Sequence, residues 1–126
     1  MTTPSEQTAQ VIHRFNQAFQ RHEPALLADL IAEDCVLENT QPAPNGSRHV
    51  GRAACLAVWE GIAGDPNGWF QEEEVRVFGE EALIFWRYCW GPGEETSVRG
   101  LNVMRVRNGL IVEGRGYVKV SPPPVA

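Results

Sequence analysis

The chain of 126 residues carries 16 acidic side chains against 11 basic ones, a formal net charge of -5 at pH 7, which excludes the basic surface that a nucleic-acid partner requires. With 43% apolar residues and no apolar run near the roughly 20 residues of a membrane span, it reads as one globular domain over 1–126 with no membrane partner. A chain of this size can bury a core around one enclosed cavity without staples. The segment MTTPSEQTAQ lacks the regions of a signal peptide, so the expected location is cytoplasmic. Cys35, Cys55 and Cys89 form no C-x-x-C and read as buried thiols. His13, His22 and His49 are scattered, so neither a metal nor a cofactor is expected.

In chain order, Thr3-Pro4-Ser5-Glu6 spells a capping box with proline at the first helical position. Ile12, Phe15 and Phe19 share one helical face, and a helix over about 4 to 21 is predicted. His22-Glu23-Pro24 interrupts it, and Pro24 should open a shorter second helix with Leu26, Leu27, Leu30 and Ile31 facing inward. Cys35 to Asn39 reads as a short strand, and 41–47, with Pro42, Pro44 and Asn45-Gly46, as loop. Leu56, Trp59 and Ile62 then recur at intervals of three, predicting a third helix over 51–63.

From Trp69 onward the period changes to two. Strands are predicted over 70–78, 82–90, 96–107 and 110–120, the last pair joined by Asn108-Gly109, a strong short hairpin signal. Helices first and sheet second predict an α+β fold: a cone-shaped roll of three N-terminal helices packed on a curved antiparallel sheet, with 121–126 as a flexible tail. Glu72-Glu73-Glu74 reads as a solvated edge.

Alternation in the second of these strands places Trp86, Tyr88 and Trp90 on one face and Phe85, Arg87 and Cys89 on the other. Both faces are bulky. Covering both requires more than the helices, so the Trp86, Tyr88 and Trp90 stripe suggests a homodimer through the outer sheet face, or else a loop or tail folded over it. Arg87 needs acceptors, which an ion pair with Glu38, Glu60 or Glu113 or a bound ligand would supply. Gly100, Gly114 and Gly116 either clear volume for a cavity or mark bulges and bends.

The segments Val11-Ile12-His13-Arg14-Phe15, Ile31 to Asn39, Gly51-Arg52-Ala53-Ala54 and Arg99 to Val106 before Asn108-Gly109 together resemble the nuclear transport factor 2-like superfamily. Its members include ketosteroid isomerases, limonene epoxide hydrolases and the SnoaL-like polyketide cyclases. On the ketosteroid isomerase pattern, the helix tyrosine corresponds to Phe15, the general base to Asn39 and the oxyanion-hole acid to Asn102. An amide cannot shuttle a proton and phenylalanine cannot donate a hydrogen bond, so that chemistry is disfavoured. On the epoxide hydrolase pattern Asn39 is retained, but the middle-strand Arg-x-Asp is replaced by Trp86-x-Tyr88 or Arg87-x-Cys89, and the last-strand acid falls near Gly116.

The resemblance therefore implies a conical pocket for a hydrophobic small molecule bearing carbonyl or hydroxyl groups. Phe15, Leu37, Phe85, Met104 and Trp59 are the expected lining, with Asn39, Asn102 and Arg87 as the catalytic candidates of an isomerase, lyase or cyclase without a carboxylate pair. Three alternatives stay open: a non-catalytic binder, a dimeric scaffold, and an epoxide hydrolase-like enzyme. A shift of strand parity by one residue would recruit Glu38 or Glu113 instead.

Overall fold

The computed structural model describes residues 2–119, in which two α-helices pack against one face of a six-stranded sheet. Helix α1 spans Pro4–Gln20, and the Thr3 hydroxyl accepts a hydrogen bond from the Glu6 N–H at 3.1 Å, the expected cap. Its buried face holds Ile12, Phe15 and Phe19 together with two polar residues at the same spacing, Thr8 and Asn16. Thr8 donates its hydroxyl proton to the Gly79 carbonyl at 2.7 Å, which ties α1 to the sheet.

The predicted second helix is reduced to one 3-10 turn at Pro24–Leu27, so the helices number two and not three. Leu27 and Leu30 are wholly buried, as their periodicity requires, but Ile31 already opens a strand. The Leu30 carbonyl accepts the Ile111 N–H at 2.7 Å, and that tie to the last strand ends the helical course. A short apolar run fits a helical turn and a buried strand equally well.

Strand β1 covers Ile31–Asn39, four residues more than expected at its start. A short strand that the sequence did not disclose, β2 at Ser47–Val50, pairs antiparallel with it. Helix α2 follows at Arg52–Gly64, then β3 at Trp69–Phe78, β4 at Glu81–Cys89, β5 at Ser97–Arg107 and β6 at Leu110–Val118. The sheet order is β2-β1-β6-β5-β4-β3. Strands β3 to β6 form the predicted antiparallel meander, and Asn108 and Gly109 both take positive φ, +54° and +78°, to close its last hairpin. Pairing of β1 with β6 is parallel, so the sheet is mixed and not purely antiparallel. This follows from the crossover through β2 and α2, which carries the chain to the far edge and brings the meander back alongside β1. The expected tail at 121–126 lies outside the described residues.

The core fills the space between the helices and the inner sheet face, with Ile12, Phe15, Trp59, Met104 and Ile111 at its centre. All three cysteines are buried free thiols, as expected, and burial pushes the Cys35 and Cys55 thiols upward. At Gly114 a Cβ would lie 2.8 Å from the Trp59 ring and 3.3 Å from the Met104 sulfur, so the glycine is the seat of that indole. Gly114→Ala should lower unfolding free energy by about 1–3 kcal/mol through overpacking, measured by urea denaturation.

Candidate functional site

A cavity of about 560 Å3 lies between the helices and the inner sheet face, within the range of small-molecule sites. Phe15, Leu37, Trp59 and Ile84, each buried, form its closed end, where the Phe15 and Trp59 rings meet edge to face at 5.2 Å. Its mouth lies where α1 and α2 end, marked by Gln20, Asp65 and the 48% exposed Trp90. One wall is a run of aromatic rings. Phe19 packs on Phe70 at 5.7 Å, Phe70 on Trp86 at 5.4 Å and on Tyr88 at 4.8 Å, and Tyr88 on Trp90 at 6.2 Å.

Alternation along β4 explains this wall. Ala82 and Ile84 are in the core, so Trp86 and Tyr88 follow them inward and Phe85 and Arg87 point to the opposite face. The Trp86, Tyr88 and Trp90 stripe therefore lines the cavity, and is not the outer surface that would have motivated a dimer. The indole of Trp86 occupies the space above Gly100, where a Cβ would come within 2.5 Å of its ring. Its N–H donates to Asn102 Oδ1 at 3.1 Å, which orients the Asn102 amide so that Nδ2 remains a donor for a ligand.

The two amides share one level of the sheet. Asn102 pairs with Gly116 on β6, and the parallel register, which pairs Glu38 with Arg115, sets Gly116 beside Asn39 on β1 when continued by one residue. A Cβ at Gly116 would lie 3.4 Å from Asn102 Oδ1 and 3.1 Å from the Thr40 methyl. Thus a tryptophan ring fills the space over Gly100 and over Gly114, whereas at Gly116 the neighbours are the Thr40 methyl and the Asn102 amide and no ring. None of the three sits at a register shift.

The structure brings together five of the sequence-selected residues: Phe15, Leu37, Asn39, Trp59 and Asn102. Met104 is wholly buried beneath Gly114 and is not part of the lining. Phe85 lies on the outer face beside Leu101 and Tyr117. Arg87 is likewise outside the cavity, opposite Arg99, with its Nη1 3.5 Å from the Ser97 hydroxyl. It forms no ion pair with Glu38, Glu60 or Glu113 among the described residues. The expected cation is therefore absent from the site.

Several polar residues enter that the sequence reading had not placed there, Asn16, Asp65, Glu72 and Tyr88 among them. A bulge in β3 sets Glu72 opposite Trp86 and Glu74 opposite Phe85, so Glu73 is the extra residue. All three are exposed on this edge strand, as the solvated-edge reading expected; Glu73 and Glu74 join Arg99 and Arg76 on the outer side, while Glu72 reaches the rim of the cavity and accepts from Asn16 Nδ2 at 2.6 Å. Asn16 was detectable as a polar residue on the apolar stripe of α1; Glu72 carried no signal. Asp65, just past α2, accepts the Asn67 N–H at 2.9 Å. Tyr88 packs its hydroxyl against Gly68, whose carbonyl is 2.8 Å from His22 Nε2. Burial, then the negative charge of Asp65, pushes the Tyr88 phenol above its ordinary range, so it stays a neutral donor.

The SnoaL-like domain model matches residues 12–114. The chain belongs to the SnoaL-like domain family. This SnoaL-like chain is 53% identical to a nuclear transport factor 2-like protein of unknown function from Mesorhizobium loti, covering 95% of this chain and 97% of that one with a TM-score of 0.87. It is 20% identical to a candidate ketosteroid isomerase from Kribbella flavida, covering 98% and 86% with a TM-score of 0.79. It is 17% identical to an epoxide hydrolase of the limonene type from M. tuberculosis, covering 94% and 83% with a TM-score of 0.73. The last two likenesses establish the fold alone. No curated protein matches the sequence significantly. No helix among the described residues is long and apolar enough to cross a membrane.

The Tyr88 environment has a measurable sign. A folded-state phenol pKa above the unfolded value stabilises the protein below that unfolded value, and the contribution is lost as pH rises through the folded pKa. In a Tyr117→Phe background Tyr88 is the sole tyrosine. Its spectrophotometric titration should lie above about 10, the free value, and Asp65→Asn should move it downward.

Proposed function

We propose that this SnoaL-like protein binds a hydrophobic small molecule bearing a carbonyl or hydroxyl group, with the apolar body against Trp86 and Phe15 and the oxygen at the two amides. The observation that carries this reading is the level formed by Asn39, Gly116 and Asn102, where a side chain is missing between two neutral hydrogen-bonding groups. No aromatic ring packs over Gly116, unlike Gly100 and Gly114; its neighbours are the Thr40 methyl and the Asn102 amide oxygen. A cavity of this size and composition suits a ligand of drug-like dimensions.

Binding is favoured over acid-base catalysis at the amides, because neither can take or give a proton. The nearest hydrogen-bonded neighbour of Asn102 is an indole, not a carboxylate. One observation supports a second, catalytic reading as an isomerase, lyase or cyclase: the Glu72 carboxylate faces the cavity and is a candidate base. An epoxide hydrolase-like route is less favoured, since Trp86 and Tyr88 occupy the inward positions of β4 where that family's acid would stand.

Dimerisation is proposed through the outer sheet face, now on other residues than the Trp86 stripe. Leu101 lies between Phe85 and Tyr117 in the strand ladders, and Tyr117 is 51% exposed. Ion pairs of both signs, Arg99 with Glu73 and Arg105 with Glu81, border this strip and make it self-complementary in charge. Sedimentation at low concentration should give a dimer, and Leu101→Glu should shift it to monomer; a wild-type monomer would refute this interface.

For the cavity, tryptophan fluorescence should be quenched on titration with naphthylmethanol. Gly116→Val, which fills the gap between the amides, should weaken binding by at least about tenfold, of the order expected when a polar ligand group is left unpaired. Unaltered affinity in that variant would sink the proposed ligand pose.

A further inference from the structure

The side chains lining the cavity include no lysine, arginine or histidine among the described residues. Its charged members are Glu38, Asp65 and Glu72. Glu38 alternates with the inward Leu37 and Asn39, so its side chain belongs to the other face. That leaves Asp65 and Glu72 as the cavity's ionisable acids. Neither forms an ion pair among the described residues: the paired arginines, Arg76, Arg99, Arg105, Arg107 and Arg115, take Asp34, Glu73, Glu74, Glu81 and Glu113, all outside the cavity lining. Glu72 gives one oxygen to Asn16, and its second has no protein partner among the described residues.

The two carboxylates bracket the aromatic wall. Glu72 stands directly across the ladder from Trp86, and the Asp65 charge is felt at the Tyr88 hydroxyl. Ring faces attract cations through their quadrupole, most strongly for tryptophan. An aromatic wall between two acids, with no protein cation to neutralise them, has the sign and the materials of an ammonium site. The acids do not serve as a metal site, because no group of three His, Cys, Asp or Glu side chains among the described residues is placed to hold an ion. The net charge of -5 adds a long-range field of the same sign.

We propose that the cavity selects hydrophobic ligands carrying a protonated amine, which is held near the mouth by the Glu72 and Asp65 carboxylates against the rings of Trp86, Tyr88 and Trp90. This assignment rests on the small-molecule reading above and specifies its ligand: an aryl or alkyl amine whose carbonyl or hydroxyl, where present, is directed to Asn39 and Asn102. A ligand carboxylate is rejected by the same two acids.

The test is calorimetric titration of the full chain with three probes on one skeleton, naphthylmethylamine, naphthylmethanol and naphthoate, at low salt. The amine should bind about tenfold more tightly than the alcohol, with naphthoate the weakest, and the advantage should shrink as salt is raised. Glu72→Gln with Asp65→Asn should bring the amine-to-alcohol ratio close to one. Glu74→Gln removes the same charge from the other face of the same strand and should leave the ratio as in wild type. Equal binding of amine and alcohol would overturn the ammonium assignment while the cavity reading stands. A ratio that survives the double substitution, or falls equally with Glu74→Gln, would also overturn it. If no probe binds, the small-molecule reading itself fails.

Discussion

The seat of the Trp86 indole governs the geometry of this protein. A bulky ring on the inner face of a sheet needs a facing position without a side chain, and Gly100 supplies it on the neighbouring strand. The indole N–H, which would be costly to bury unpaired, is satisfied by Asn102. That bond aligns the amide, and Phe70 closes against the indole at 85°. One residue therefore builds the wall, orients the polar floor and holds the edge strand in place. Trp59, on α2, is seated in the same way on Gly114.

The third glycine of this face, Gly116, has no ring above it. A Cβ there would meet the Thr40 methyl at 3.1 Å and Asn102 Oδ1 at 3.4 Å. Hydrogen-bonding groups at the floor are neutral, and the charged groups are confined to acids nearer the mouth.

The outer face of the sheet has a different character. Arg87, Arg99 and Arg105 stand there among Glu73, Glu74 and Glu81, exposed to solvent, where such pairs contribute little stability. Their burial in the cavity would have been costly without partners of opposite charge. Glu73, beside Arg99, is held below the usual carboxylate range by that guanidinium, and Asp34 by Arg107. Charges on this face organise a surface, whereas those in the cavity remain available to a ligand.

Much of the fold was legible in the residues alone. Periodicity marked α1, α2 and the four strands of the meander, Asn108-Gly109 marked its last turn, and strand alternation separated Trp86 and Tyr88 from Phe85 and Arg87. The polar candidates Asn39 and Asn102 both line the one cavity, each in a strand whose alternation is regular at that point. Which β4 face meets the helices was not legible, since both faces are bulky, and Arg87 was assigned to the wrong side for that reason. Glu72 was hidden by a bulge: period two would place it with Glu74, and one extra residue separates them. Local sequence therefore determined the elements and their two faces through intrinsic periodicity and turn chemistry. Only the tertiary structure decided which face became the interior, how a single inserted residue brought an exposed edge carboxylate to the rim of the cavity, and which glycine was left without a ring above it, because each depends on contacts between strands distant in the chain.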